Sequence, residues 1–216
     1  MRRSDYFTRF SSVYARNLIY TGRLWYTITI ITDFFYFRAR YMDTGLIHIY
    51  CGDGKGKTTA SIGLAVRCAG RGGRIFFTQF LKERMTGELT VLSALPNVEI
   101  RRGKGTGKFT FQMNAEELAA AKVIQEKIFR TITERCREEL PDLLVMDEIL
   151  DACSIGLINE RDVIQFLKTK PPGTEVVLTG RNPSQALIES ADYVSEVKKI
   201  KHPYDRNISA RIGIEE

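Results

Sequence analysis

The sequence predicts an α/β fold, a mostly parallel sheet with helices on both faces. Three observations carry this. Short, continuous apolar runs recur, such as Leu46-Ile-His-Ile-Tyr50, Leu143-Leu-Val-Met146 and Val176-Val-Leu178, the pattern of strands buried on both sides. These runs alternate with helical patterns, as in a sheet built from strand-helix-strand units. Glycines, lysines and acids gather just after the runs, at the strand ends where such sheets bind ligands.

Taken in order, Leu46 to Tyr50 is the first strand. A glycine- and lysine-rich loop follows, and then a helix over 59–69 that spreads Ile62, Leu64, Ala65, Val66 and Cys68 before Gly70-Arg-Gly-Gly73 ends it. Arg74 to Phe80 reads as a buried strand. A polar connection leads to a short strand at Val98-Glu-Ile-Arg101 and a second glycine-rich loop, Gly103 to Lys108. From Asn114 to Leu140 a long helix places Leu118, Ile124, Ile128 and Ile132 at helical spacing, and Asn114-Ala-Glu-Glu117 has the form of a capping box. Pro141 stops it. The strand Leu143 to Met146 runs into Asp147 and Glu148. A helix over 159–168, the turn Pro171-Pro-Gly173 and the strand Glu175 to Leu178 come next. Thr179-Gly-Arg-Asn182 then leads to a short helix from Ser184, and Tyr193 to Val197 is the last strand.

Residues 1–41 differ in composition from the rest. The formal charge of +6 would suggest a nucleic-acid partner, yet this segment holds seven Arg, two Asp and no Lys or Glu, leaving +1 for residues 42–216. Without a basic stripe interleaved with aromatics, no nucleic-acid partner is expected. The segment also holds twelve of the 22 aromatic residues. Its apolar run from Leu24 to Phe37 contains Asp33 and is shorter than the roughly 20 residues that span a bilayer, so no membrane association is expected. We read 1–41 as a leader outside the fold, with Met42 as the true start, and 42–216 as one domain. Cys51, Cys68, Cys136 and Cys153 form no C-x-x-C pair, which points to a reduced, cytoplasmic chain.

Cys51-Gly-Asp-Gly-Lys-Gly-Lys-Thr-Thr59 lies between a strand and a helix, the context of a phosphate-binding loop. Here Gly52, Asp53, Gly54, Lys55, Gly56, Lys57, Thr58 and Thr59 are the candidate ATP-binding residues. Lys57 and Thr58 are the candidate catalytic residues, the first reaching the phosphates and the second a metal ion. The usual first glycine position is Cys51, and Gly52 comes one residue late, so the chain is expected to leave its strand by a different path. Lys55 adds a second cation. Asp147 and Glu148 either hold magnesium or manganese together with Thr58 or cap the next helix; the phosphate loop favours the first. The architecture expected is that of a P-loop NTPase of RecA-like type.

The loop Gly52 to Thr59, Gln79-Phe-Leu-Lys82, Gly107-Lys-Phe-Thr-Phe111, Met146-Asp-Glu148, Thr179-Gly-Arg181, Lys201-His-Pro-Tyr-Asp205 and Gly213-Ile-Glu215 together resemble the ATP:corrinoid adenosyltransferases. The resemblance runs from about Gly45 to Glu215. It implies transfer of the 5′-deoxyadenosyl group of ATP to the Co(I) of a reduced corrinoid, with release of triphosphate. It further implies that Phe109 and Phe111 pack on the lower corrin face, that an electron-donating flavoprotein supplies the reduced cobalt, and that the chain forms a homodimer. Relatives often carry Trp at the position of Phe111, and Asn207, Ser209 and Glu216 also depart from the common pattern. Arg181 is a candidate contact to the corrinoid or to a phosphate, or else a salt bridge at the sheet edge. Two other readings stay open, a P-loop kinase or ATPase and a nucleotide-binding regulatory module without turnover.

Overall fold

In the computed structural model, residues 44–82, 86–103 and 112–215 are described. The leader and the expected start at Met42 lie outside the described residues, as do Phe109 and Phe111. Six strands form one sheet: β1 (Ile47–Cys51), β2 (Ile75–Gln79), β3 (Val98–Arg102), β4 (Leu143–Asp147), β5 (Glu175–Thr179) and β6 (Tyr193–Glu196). They lie in the order β3-β2-β4-β5-β1-β6, and every pairing is parallel. The expected α/β architecture, a parallel sheet with helices on both faces, is therefore present, with the loop strand β1 separated from the acid-ended β4 by β5.

Helices α1 (Lys57–Gly70), α2 (Gly87–Ser93), α3 (Ala115–Glu139), α4 (Ile149–Ser154), α5 (Glu160–Thr169) and α6 (Gln185–Glu189) connect the strands. Successive side chains of a strand point to opposite faces, so each apolar run feeds two cores. On one face Ile49, Phe76, Leu144, Met146, Val176 and Leu178 pack with residues of α3, α4, α5 and α6. On the other, Ile75, Phe77, Leu143, Val145 and Val177 pack with α1, α2 and β3. Phe76 and Phe77 are both fully buried, one to each face, and each contributes on the order of 2 kcal/mol. The edge strand β6 is exposed along its length.

The long helix α3 begins where its sequence directs. Asn114 Oδ1 accepts from the Glu117 amide at 2.9 Å, and Glu117 Oε2 accepts from the Asn114 amide at 3.0 Å. Asn114→Ala is expected to lower unfolding free energy by about 1 kcal/mol, measurable as a shift in the urea midpoint at unchanged slope. Helices α2 and α4 were not expected from the sequence.

Candidate active site

The phosphate loop leaves the sheet one residue later than the common pattern. Cys51 is the buried last residue of β1, and the left-handed turn falls on Gly52, with φ of 104°. The displaced glycine thus lengthens the strand by one residue. At Gly54 close approach, not φ, demands glycine: its amide donates to Val197 O at 2.7 Å, and a Cβ would sit 2.7 Å from that oxygen and 2.8 Å from Lys198 C. Both contacts are backbone, so neither can yield cheaply.

Gly56 precedes α1 with φ of 126°, and no side chain caps this helix start. The first turn carries no acid. Its N–H groups and the positive end of the helix dipole are thereby available to an anion. Lys57 Nζ donates to Gly54 O at 2.8 Å. Burial, with help from the nearby Arg181 charge, holds Lys57 below the usual lysine range. The side chains of Asp53 and Lys55 are engaged by the C-terminal segment: Asp53 accepts from the Lys199 amide at 2.9 Å, and Lys55 reaches Ile214 O at 3.2 Å and Glu215 at 3.3 Å. Lys55, expected as a second cation within the loop, serves here to tie the loop to the tail. Thr59 is exposed on the first turn of α1.

Asp147 is fully buried at the end of β4 and collects four donors. Its Oδ1 accepts from Thr58 Oγ1 at 2.9 Å and Thr179 Oγ1 at 2.7 Å; its Oδ2 accepts from Lys82 Nζ at 2.7 Å and Gln79 Nε2 at 3.2 Å. Thr179 owes this place to the strand order, because β5 lies between β1 and β4. Its hydroxyl also accepts from the Glu148 amide at 2.9 Å.

Glu148 lies just outside the strand, in the left-handed region at φ of 64°. That conformation costs a non-glycine residue on the order of 1 kcal/mol and is typical of functional turns. Glu148 precedes α4 yet makes no side-chain cap; its Oε1 lies 3.4 Å from Lys82 Nζ. The helix-capping alternative for this acid is not what the contacts show. Burial pushes its carboxyl up to about 7 against the opposing pull of Lys82, and the charges of Asp147 and Asp151 push the same way as burial. Although burial opposes it, the charges of Asp147 and Glu148 raise Lys82 above its ordinary value.

Hard oxygen donors therefore converge from α1 and the end of β4. Gln79, also buried, adds an Oε1 that has no hydrogen-bond partner among the described residues. Among those residues no group of three or more His, Cys, Asp or Glu side chains could hold a metal. Two carboxylates and a hydroxyl nevertheless fit magnesium or manganese, which commonly completes its shell with substrate phosphates and water.

At the end of β5, Gly180 has φ of 145°, and a Cβ there would meet Leu150 Cβ at 2.6 Å and Asp151 Oδ2 at 2.7 Å. This close packing lets Asp151 accept from the Arg181 amide at 3.2 Å and fixes the backbone from which the exposed Arg181 extends. Burial pushes the Asp151 carboxyl up, opposed by Arg181. Burial also drives the thiols of Cys68 and Cys153 up to about 12 and of Cys136 up to about 11, so none of these supplies a thiolate nucleophile near neutral pH. A groove of about 450 Å³ between α3 and α5 is lined by no residue of the loop or the acid cluster. The sequence reading gave no role to Lys82, Gln79, Thr179 or Asp151. Their common signal is position, within four residues of a strand's carboxyl end.

The sequence matches one family along most of its length. Residues 43–215 match the family described as ATP:corrinoid adenosyltransferase BtuR/CobO/CobP. The corrinoid adenosyltransferase of a Sinorhizobium species is 36% identical over 80% of this chain and 81% of its own. That of Escherichia coli K12 is 31% identical, and corrinoid adenosyltransferase CobA of Salmonella typhimurium LT2 is 30% identical, each over 80% of this chain and 86% of its own. A solved KaiC-like protein, PH0186 of Pyrococcus horikoshii, aligns over 72% of this chain and 74% of its own at 20% identity with a TM-score of 0.45, too distant to add to the assignment. On the family match and these relatives, the chain belongs to the ATP:corrinoid adenosyltransferase family.

Proposed function

We infer that this protein transfers the 5′-deoxyadenosyl group of ATP to the cobalt of a reduced corrinoid and releases triphosphate, a reaction of cobalamin biosynthesis. The observation that carries the reading is the start of α1. A helix N-terminus left uncapped by any side chain meets a lysine, a threonine and two acids at the carboxyl ends of a parallel sheet. That is a cradle for a polyphosphate.

In this reaction the Co(I) of the substrate contributes an electron pair to C5′. The C5′–O bond breaks, and its pair departs with the triphosphate. Negative charge accordingly grows on the leaving group, and no protein base is needed. Lys57 and the first N–H groups of α1 are the groups of this chain positioned to stabilise that charge. Thr58, Asp147 and Glu148 are the residues that would hold magnesium or manganese, which supplies further charge neutralisation on the phosphates. The remaining loop residues, Gly52 to Gly56 and Thr59, shape the cradle. Asp53 and Lys55 act through the tail.

Phe109 and Phe111 are assigned to the lower corrin face, and Arg181 to a carboxylate or phosphate at the mouth of the site. An electron-donating flavoprotein, a homodimeric state and a cytoplasmic location belong to the same reading. Among the described residues no helix is long and apolar enough to cross a membrane.

The phosphate product tests the assignment. With ATP, magnesium and chemically reduced cob(I)alamin, the purified protein is expected to form triphosphate and a photolabile alkyl-cobalt product in equal amounts. ADP as the product would indicate phosphoryl transfer. The absence of any product would leave only nucleotide binding.

A further inference from the structure

The three residues assigned to a divalent cation already hold an ammonium. Lys82 Nζ donates to Asp147 Oδ2 at 2.7 Å and to Thr58 Oγ1 at 3.0 Å, and lies 3.4 Å from Glu148 Oε1. Its side chain is 24% exposed. Backbone contacts fix the point from which it reaches. Phe80 donates to Asp147 O at 2.9 Å, Leu81 takes a left-handed turn at φ of 59°, and Lys82 O accepts from Arg102 Nη2 at 3.1 Å. A left-handed leucine is a strained residue, and here the strained turn immediately precedes the lysine in the acid cluster. Beyond this anchored backbone the flexible four-carbon stem can still move the charge by several ångströms.

An ammonium and a divalent cation cannot share three oxygens, since like charges at such distances repel strongly in a partly buried site. We propose that Lys82 couples cation binding to triphosphate binding. Before nucleotide arrives it neutralises Asp147 and Glu148 and competes with a free divalent cation for their oxygens. When a polyphosphate enters with its cation, the ammonium moves from the carboxylates to the phosphates and adds to Lys57 on the leaving group. Cation and triphosphate then favour each other reciprocally, as linkage requires. The proposal rests on the metal assignment to Thr58, Asp147 and Glu148.

The test measures binding, without turnover, on the full chain. Lys82→Met removes the charge, and Lys82→Gln removes it while keeping a donor for Asp147 in case the first variant folds poorly. Free Mn²⁺, followed by the loss of its electron paramagnetic resonance signal, is expected to bind both variants on the order of tenfold more tightly than wild type. Preformed Mn²⁺–tripolyphosphate, followed by calorimetry, is expected to bind them about tenfold more weakly. The gain for free Mn²⁺ should vanish when Asp147→Asn is added. These opposite signs are the signature of a competing and then assisting ammonium, which a merely structural lysine would not produce. If wild type and variants bind Mn²⁺ alike while the complex still binds wild type, the role of Lys82 is overturned and the metal assignment stands. If no form takes up Mn²⁺ even with tripolyphosphate, the metal assignment fails, and this proposal with it.

Discussion

Lys57→Ala is expected to reduce triphosphate release at saturating ATP at least about 100-fold, the scale seen when one preorganised donor to a developing oxyanion is removed. The side chain is half-buried at the first residue of α1 and spends one N–H bond on Gly54 O, 2.8 Å away. Burial, with the Arg181 charge next in size, already disfavours its ammonium. A poorly solvated cation of this kind gains more from an arriving polyanion than one in water. The gain grows as the C5′–O bond breaks, so the loss should fall on kcat more than on corrinoid affinity. The fold should suffer little, because the deleted bond lies within the loop and a net hydrogen bond is worth about 1 kcal/mol. Steady-state kinetics with prereduced cobalamin, beside a thermal melt, checks both halves. Retention of wild-type kcat would remove the loop from the reaction.

Asp147→Asn should lower both stability and cation binding. The carboxylate is fully buried and accepts from Thr58, Thr179, Gln79 and Lys82. An amide of the same shape can accept at one oxygen only, and its NH₂ must face two of these four donors. Lys82 then keeps the Thr58 hydroxyl at 3.0 Å but has Glu148, at 3.4 Å, as its remaining charged partner. Breaking one side of such a pair typically costs about 3 kcal/mol or more, since the remaining charge stays in a poor solvent. Urea denaturation should show that loss, and the double variant with Lys82→Met should recover part of it. If Asp147→Asn melted with the wild type, the four contacts would not be holding the strand ends together. The variant's Mn²⁺ uptake in the presence of tripolyphosphate should fall as well, which a loss of packing alone would not explain in a protein that remains folded.

The sheet was legible because buried parallel strands are continuous apolar runs: β1, β2, β4 and β5 stand where the runs are, and the two edge strands, β3 and β6, stand where shorter strands were expected. The long helix was legible from the Asn114 and Glu117 box, which forms as expected. Helices α2 and α4 were not, because seven and six residues give fewer than two turns over which an apolar period could repeat. Within the site, the loop and the acid pair announced themselves by local spacing. Lys82 and Thr179 did not: their bonds to Asp147 join positions 65 and 32 apart, and only the strand order brings them together. Nor could spacing foretell that Asp53 and Lys55 would turn to the tail, since neither residue type specifies a partner about 150 positions away.

That strand order has a consequence for how the protein is made. The first strand, β1, pairs only with β5 and β6 among the described strands, and Gly54 leans on Val197. During synthesis the loop sequence leaves the ribosome early, but the strands that fix it arrive more than a hundred residues later. Contacts of such long separation form late. A chain interrupted before β5 would carry the whole phosphate-loop motif without its neighbouring strands. A fragment that ends before β5 is therefore expected to bind no ATP although it contains the whole motif.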